Sequence, residues 1–340
     1  MGILPSCNRN KTMVSVANVC MHRSQFPDAV RRDLLDSLRM RRVNHKFHYD
    51  SVKQTQKWLA LHQHYSPSRN DPDCTAIYRA AFAAVAANQT SSIVHVVGLG
   101  CGGGQKDTEL LKQLIAHGKA TSYTPCDVST PMVLVARSTA LSVLPEEKCF
   151  PLVCDLLSTD DLPAAIEKSS RADCARLITF FGMIPNFEPA QILPKLASLV
   201  RADDALLFSA NLAPGPDFAA GVQRILPQYD NEPTRDWLMT FLLDLGVERS
   251  DGVLRFSIRE YPSGSGLKRV EANFHFIDSR TIEIQGEQFA FRAGETIRLF
   301  FSYRYTPQLI RSLLREHGIE VKDQWVAKSG EEAVFLCQRF

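Results

Sequence analysis

The spacing of apolar and polar positions changes period along the chain, and each change predicts an element of the fold. In residues 73–87 apolar positions recur at the three- and four-residue intervals of a helix face. Residues 93–97 form a short β-branched run, residues 98–104 contain five glycines, and residues 110–115 return to helical spacing. The sequence therefore predicts a helix, a strand, a tight glycine turn and a second helix, in this order.

The same alternation continues beyond the glycine turn. The further predicted strands are 120–126, 149–154, 175–181 and 205–210, and the predicted helices between them are 131–141, 162–168 and 189–199. Strands that alternate with helices form βαβ units with right-handed crossovers around a parallel sheet. We therefore expect a doubly wound, Rossmann-like α/β core.

After Asn211 several prolines interrupt this pattern, and antiparallel elements are predicted instead. The predicted elements are a helix at 234–245 and strands at 253–261, 270–279, 281–284 and 288–291. A helix at 307–316 and two closing strands at 320–325 and 333–338 return to the core, where we expect them to form an edge hairpin. An isolated helix is predicted at 28–39. These segments predict a core of residues 70–211 and 303–340, with residues 1–69 and 212–302 forming an inserted α+β substrate lobe.

Composition and charge argue against several classes of protein. Apolar residues make up 45% of the chain, charged residues 22%, and the formal net charge is +2, which is typical of soluble globular proteins. The basic cluster Arg39, Arg41, Arg42 and Lys46 is interpreted as a solvated face, so no nucleic-acid or membrane partner is expected. No window is apolar enough to span a bilayer. Gly2 fits the N-myristoylation pattern, which is short and common by chance.

The nine cysteines are odd in number and form no Cys-x-x-Cys pair, and several lie in apolar runs. This distribution is typical of reduced, buried thiols in a cytoplasmic protein. No group of histidines, cysteines and carboxylates has the spacing of a metal site. We therefore expect a cytoplasmic protein that uses no metal.

The turn from Gly98 to Gly104 predicts a cofactor cradle, because it joins the carboxyl end of a strand to a helix N-terminus. Gly98, Gly100 and Gly103 also satisfy the dinucleotide fingerprint, so nicotinamide and S-adenosylmethionine both remain open for this turn. Asp127 ends the next strand and suits the ribose hydroxyls of either cofactor. Asp155 and the closing hairpin favour S-adenosylmethionine, although each aspartate could instead cap the following helix.

Several further motifs follow the chain in a fixed order. They are Phe47-His48-Tyr49-Asp50, His64-Tyr65-Ser66-Pro67-Ser68-Arg69, Gly98-Leu99-Gly100-Cys101-Gly102 with Lys106, Cys126-Asp127-Val128-Ser129, Cys154-Asp155, Phe181-Gly182-Met183-Ile184-Pro185-Asn186, Tyr229-Asp230 and Phe301-Ser302-Tyr303-Arg304-Tyr305. With these motifs in this order, the sequence resembles the histidine Nα-methyltransferase family of ergothioneine biosynthesis, which includes relatives that N-methylate tryptophan-type substrates. The resemblance covers about residues 47–340 and implies a class I methyltransferase sheet.

The resemblance also implies roles for individual residues. The cofactor S-adenosylmethionine would be bound by Gly98, Gly100, Gly102, Lys106, Asp127 and Asp155. The substrate would be bound by Tyr65, Asn186, Tyr229, Ala272, Phe300 and Ser302, with Tyr49 as the catalytic residue beside the reacting amine. Without the resemblance, the tyrosines could be packing residues and Asn186 a turn residue.

Three positions depart from the family pattern. Gly98 stands where the family has Glu, Phe300 where its histidine-specific members have a Glu that binds the imidazole N–H, and Ala272 where they have Met. A missing partner for a buried N–H costs roughly 1 to 3 kcal/mol, so histidine is not the favoured substrate. We expect an N-methyltransferase acting on the α-amine of an amino acid or related amine, with a side chain bulkier or less polar than that of histidine.

Two alternatives remain open. One is an NAD(P)-dependent oxidoreductase that uses the same glycine turn, although no Tyr-x-x-x-Lys motif is evident. The other is a catalytically silent module that binds S-adenosylmethionine, which the departures at Gly98 and Phe300 make conceivable.

Overall fold

An eight-stranded sheet forms the centre of the protein. The computed structural model describes residues 16–66, 70–168 and 174–340, so Gly2, Cys7 and the predicted motif residues 67–69 lie outside the described residues. The strands of the sheet, in spatial order, are β1 (Cys20–Met21), β4 (Leu152–Val153), β3 (Ala120–Asp127), β2 (Ile93–Leu99), β5 (Ala175–Phe181), β6 (Ala205–Asn211), β13 (Glu332–Arg339) and β12 (Ile319–Val326).

The strand order confirms the doubly wound prediction. β2 pairs in parallel with both β3 and β5, so the order reverses at β2 and a ligand crevice is expected at the carboxyl ends of these strands. β13 runs antiparallel to β6, and β12 is antiparallel to β13 at the sheet edge. The closing hairpin is therefore confirmed as well.

Helices cover both faces of this sheet. On one face Ile77 and Leu110 belong to a buried cluster with Val96, and on the other Ile192 and Ile310 pack with Phe208. The helices of the described residues are α1 (Pro27–Arg39), α2 (Val52–Tyr65), α3 (Pro72–Asn88), α4 (Gln105–Ala116), α5 (Thr130–Ala140), α6 (Leu162–Glu167), α7 (Pro189–Leu199), α8 (Phe218–Ile225), α9 (Glu232–Asp244) and α10 (Pro307–Glu316). Within residues 16–66, 70–168 and 174–340, no helix is both long and apolar enough to cross a membrane.

A second, antiparallel sheet forms most of residues 252–304. Its order is β11 (Thr296–Arg304), β8 (Lys268–Phe276) and β7 (Gly252–Glu260), and a separate hairpin joins β9 (Arg280–Ile284) to β10 (Glu287–Phe291). Phe300 of β11 packs in a cluster with α1 and α9, whereas Phe301 and Tyr303 pack against the large sheet. β11 thereby joins the two sheets. The predicted boundaries of core and lobe stay a prediction.

Several elements differ from the sequence prediction. The strand expected at 149–154 is ordered as a strand only at Leu152–Val153, directly after Pro151, which has no N–H for a ladder. β1, β11, α2 and α8 are elements that the spacing of apolar residues did not predict. β11 is buried along most of its length, so it lacks the polar alternation of an exposed strand.

Candidate cofactor and substrate site

The glycine loop lies at the carboxyl end of β2, as predicted, and is fixed to the neighbouring strand. The backbone N–H of Cys101 donates to the carbonyl of Cys126 at 3.1 Å. Gly100 has a φ of +64°, and a Cβ on it would lie 2.7 Å from Cγ of Met183. This position therefore requires glycine, and the side chain of Met183 covers the loop.

Asp127 holds the glycine loop from the end of β3. One carboxylate oxygen accepts the N–H of Gly102 at 3.1 Å and the other accepts the N–H of Ser129 at 3.0 Å. Burial raises the pKa of the Asp127 carboxyl, while these N–H donors oppose the rise. Each carboxylate oxygen can accept two hydrogen bonds, so Asp127 keeps the capacity to bind a ribose diol.

Asp155 follows β4 and is bound by a residue from the N-terminal segment. Its carboxylate accepts the N–H of Leu157 at 2.9 Å and lies 3.3 Å from Nζ of Lys46. Lys46 also pairs with Asp33, and its side chain is only 5% exposed. The interpretation of Lys46 as part of a solvated face is therefore wrong, because this lysine is the buried counter-ion of two carboxylates.

Lys106 lies in the first turn of α4 and points towards the closing hairpin. Its Nζ donates to Oη of Tyr78 at 2.7 Å and lies 3.4 Å from Oε1 of Glu332. Oη of Tyr78 also lies 2.8 Å from Oγ of Ser209, and this Oγ accepts the N–H of Gly182 at 2.8 Å. Lys106 therefore lies in a buried polar cluster beside β5 and β6, and its contact with the cofactor stays a prediction.

Gly98 lies against the buried carboxylate of Asp107, which the sequence did not lead us to expect at the site. A Cβ on Gly98 would collide with the carboxylate of Asp107 and lie 2.9 Å from Oη of Tyr123. Asp107 accepts hydrogen bonds from Tyr123 at 2.6 Å and from Oγ1 of Thr179 at 2.7 Å. Burial raises the pKa of Asp107. An acid is thus present next to the strand end, although it comes from α4 and not from position 98.

Three aromatic residues predicted for the site, Tyr49, Tyr229 and Phe300, meet in one cluster. Trp237 of α9 lies 5.5 Å from Tyr49 and 5.9 Å from Phe300, measured between ring centroids. Phe300 in turn lies 6.2 Å from Tyr229. The structure therefore brings together three predicted residues from distant parts of the chain, and Trp237, which the sequence analysis did not single out, connects them.

Tyr49 connects this cluster to the cofactor loop. Its ring lies 5.8 Å from that of Trp58, measured between centroids. The Trp58 ring in turn would lie 3.3 Å from a Cβ placed on Gly102. Burial, and next the negative charge of Asp127, raise the pKa of the Tyr49 hydroxyl. The hydroxyl therefore stays protonated, which makes Tyr49 a neutral hydrogen-bonding group and not a base.

The remaining predicted substrate residues have different surroundings. Ser302 is buried, and its Oγ lies 2.8 Å from Oη of Tyr229. Ala272 is fully buried and opposite Phe300 in the β8–β11 ladder. Asn186 is half-buried at the end of a short 3₁₀ helix after β5. Tyr65 is 47% exposed at the end of α2, so the structure does not bring it into the aromatic cluster, and its role stays a prediction.

A comparison with known families decides what this site belongs to. The model of the family described as "Histidine-specific methyltransferase, SAM-dependent" matches residues 30–339. The chain belongs to this family. This confirms the resemblance inferred from the sequence motifs and the expected cofactor, S-adenosylmethionine.

Individual relatives of this methyltransferase are distant. The N-methyltransferase fsqC of Aspergillus fumigatus is 23% identical over 244 residues, which are 69% of this chain and 64% of that protein. The chain thus spans less than two thirds of that relative's length. Among solved structures, the CcbJ methyltransferase of Streptomyces caelestis is 14% identical with a TM-score of 0.40, over 80% of this chain and 97% of that one. A Burkholderia thailandensis 1,6-didemethyltoxoflavin-N1-methyltransferase is 12% identical with a TM-score of 0.40, over 84% of this chain and 88% of that one.

The residues of this methyltransferase fit its cofactor. Gly100 has a left-handed φ that disfavours any side chain, and Asp127 keeps acceptor capacity for a ribose. Asp155 lies at the end of the next strand, already oriented by Lys46. Asp127 and Asp155 would hold the ribose and base side of the cofactor, and the contact of Lys106 with it stays a prediction.

Proposed function

We propose that this methyltransferase methylates the α-amine of an amino acid or related amine whose side chain is bulkier or less polar than imidazole. The observation that supports it best is the cluster around Phe300, where the rings of Tyr229 and Trp237 lie against Phe300 and Ser302 hydrogen-bonds to Tyr229. Glu271 is the nearest acid on β8, but it alternates to the opposite face and pairs with Arg269. This face of β11 therefore offers aromatic surface to a substrate side chain.

The same cluster disfavours an imidazole substrate. His45 lies 5.0 Å from Phe300, and its Nε2 accepts the N–H of Phe301 at 3.4 Å, which leaves the hydrogen on Nδ1. Burial lowers the pKa of His45 well below its ordinary value, so the ring is neutral. Neither side chain can accept the hydrogen of an imidazole N–H, which should cost histidine roughly 1 to 3 kcal/mol of binding.

The site assists the reaction by positioning. S-adenosylmethionine supplies a methyl group that is already activated on a sulfonium. Tyr49 lies between the cofactor loop and the aromatic cluster, where its neutral hydroxyl can orient an amine without protonating it. Tyr229 and Asn186 would hold the rest of the amino-acid backbone. Orientation of this kind can be worth roughly 7 to 11 kcal/mol of the barrier, so no general base is required of the protein.

We place the reaction in the cytoplasm. Cys74, Cys126 and Cys337 are buried free thiols, which supports a reducing compartment. The substrate is then a small cytoplasmic amine or amino acid.

Two measurements test the proposal in sequence. Thermal-shift assays compare S-adenosylhomocysteine with NADH and NADPH, and a ligand at about 100 times its Kd should stabilise the protein by roughly 2.7 kcal/mol. Mass spectrometry then follows methyl gain on L-histidine, L-phenylalanine, L-tyrosine and L-tryptophan. We expect a shift with S-adenosylhomocysteine alone, and a kcat/KM at least tenfold higher for an aromatic amino acid than for histidine.

Variants at one position sharpen the result. Phe300→Glu supplies the missing acceptor and should move the preference towards histidine, whereas Phe300→Leu removes the ring without adding an acid and should not. A shift with S-adenosylhomocysteine without methyl gain on any amine would instead favour the silent module. A wild-type preference for histidine would contradict the proposal.

A further inference from the structure

Arg304 is a buried cation that pairs with no carboxylate of the described residues. It is 3% exposed, and its guanidinium donates to the carbonyl of Leu212 at 3.1 Å, to Oη of Tyr229 at 3.0 Å and to Oε1 of Gln228 at 3.5 Å. Its Nε has no hydrogen-bond partner. All three acceptors are neutral. The carboxylate of Glu331 accepts a hydrogen bond from Gln228 at 2.8 Å and makes no ion pair with Arg304.

The other buried arginines of the described residues each have a carboxylate partner. Arg137 pairs with Glu146, Arg176 with Asp204, and Arg269 with Glu188 and Glu271. A buried charge is unfavourable unless an opposite charge accompanies it. Arg304 is thus the exception, and its position suggests where an anion is expected.

The guanidinium of Arg304 determines which way the hydrogen bonds of Tyr229 and Ser302 run. An arginine can only donate, so Oη of Tyr229 must accept from Arg304. Oη of Tyr229 and Oγ of Ser302 lie 2.8 Å apart and share one further hydrogen bond. Because each hydroxyl carries one hydrogen, the pair keeps one hydrogen that no described residue accepts. The pair therefore acts as a hydrogen-bond donor, backed by a positive charge.

The strand register places this donor at the substrate cluster. Phe300, Ser302 and Arg304 alternate along β11 and share one of its faces, and Phe300 contributes to the aromatic cluster. Arg304 reaches Leu212, the residue after β6, at the carboxyl edge of the large sheet where the cofactor loop also lies. The cation is therefore located between the aromatic cluster and the cofactor side.

We propose that Arg304 is a specificity-determining residue that selects substrates carrying a carboxylate beside the amine that is methylated, through the hydroxyl pair of Tyr229 and Ser302. This inference rests on the proposed function and narrows its substrate class to amino acids over their decarboxylated amines. Arg304 is a positioning residue, because it acts through Tyr229.

The test compares matched substrates in wild-type enzyme, Arg304→Gln and Arg304→Lys. The pairs are L-tryptophan with tryptamine and L-phenylalanine with phenethylamine, each assayed by mass spectrometry with saturating S-adenosylmethionine. In Arg304→Gln we expect the KM of the amino acid to rise at least tenfold while the KM of the amine changes less than twofold, and Arg304→Lys should restore most of the preference. Equal losses for acid and amine, or a wild-type preference for the amine, would overturn the inference.

A measurement on the wild-type protein keeps the inference testable if the variants fold poorly or no amine is methylated. In the presence of S-adenosylhomocysteine, 3-phenylpropionate should stabilise the protein in thermal-shift titrations, whereas its neutral amide, 3-phenylpropanamide, should bind at least tenfold more weakly. Equal binding of the two would refute the role of Arg304. Failure of methyl transfer together with selective binding of 3-phenylpropionate would contradict the proposed function alone.

Discussion

The substitution Gly98→Ala tests the packing around the buried acid at the end of β2. The new Cβ would collide with the Asp107 carboxylate and lie 2.9 Å from Oη of Tyr123 and 3.1 Å from Cγ of Asp107. Both side chains are buried in the described structure, so neither can move into solvent without a cost. The backbone of Gly98 is not left-handed, so the expected effect comes from this collision alone.

The magnitude follows from two contributions. Forcing an extra methyl group into a packed core costs about 1 to 3 kcal/mol. If Asp107 moves away, the hydroxyls of Tyr123 and Thr179 lose their acceptor, which costs roughly 1 to 3 kcal/mol for each group left unpaired. Because Asp107 either stays and is overpacked or moves and leaves two hydroxyls unpaired, we expect Gly98→Ala to lower the free energy of unfolding by about 1 to 6 kcal/mol.

Urea denaturation provides the measurement, with Gly103→Ala as the matched control in the same loop. A Cβ at Gly103 meets the amide end of Gln105, an exposed and flexible side chain, so this variant should lose far less stability. Asp107→Ala should relieve the collision, so the double variant should lose at least 1 kcal/mol less than the sum of the single variants. The reasoning is refuted if Gly98→Ala is no less stable than Gly103→Ala.

Three further predictions concern groups around the site. Asp127→Ala removes the acceptor of the Gly102 N–H, and calorimetric titration should show the Kd of S-adenosylhomocysteine rising at least tenfold; an unchanged Kd would exclude Asp127 from the cofactor site. Lys46→Met leaves Asp155 buried without its counter-ion, so urea denaturation should show the free energy of unfolding falling by about 3 to 5 kcal/mol. A fall of less than about 1 kcal/mol would show that the ion pair is unimportant. Burial lowers the pKa of His48 from 6.5 to about 4, so the unfolded chain binds this proton first as pH falls. The free energy of unfolding should therefore drop by up to about 3 kcal/mol between pH 6.5 and 4, and equal slopes for wild type and His48→Gln would contradict this origin.

The parallel core could be predicted from sequence because its signals are local. The strands at 175–181 and 205–210, the helix at 189–199 and the closing hairpin all lie within one residue or so of the observed bounds. Each combines a short apolar run with turn residues at both ends. Such patterns depend little on distant contacts.

The elements that the sequence did not predict depend on tertiary contacts. α2 buries the polar residues Gln54 and Thr55, so it shows no clear apolar face. β11 is enclosed between two buried clusters and contains a bulge between Arg298 and Phe300, which interrupts a two-residue alternation. α8 follows prolines that were interpreted as breaking the chain.

The candidate site was predictable in part for the same reason. The glycine loop and the aspartates at strand ends could be found from the neighbouring sequence. By contrast, Trp237 and Lys46 obtain their importance from partners far away along the chain, and no local pattern indicates them. Arg304 stands in one of the motifs, but its contact with Tyr229 could not be read from that motif. Asp107 had a local signal, an acid in the first turn of the helix that follows the glycine loop.

Glu332 lies near the end of the chain, so the contacts that it makes can form only late in synthesis. Its carboxylate accepts hydrogen bonds from Cys74, Tyr78 and Lys106, and Lys106 is synthesised 226 positions earlier. While the chain is growing, the glycine loop already exists but the cationic Lys106 beside it lacks its acid. We therefore expect the polar cluster of Cys74, Tyr78 and Lys106 to be completed only after the closing hairpin has been synthesised.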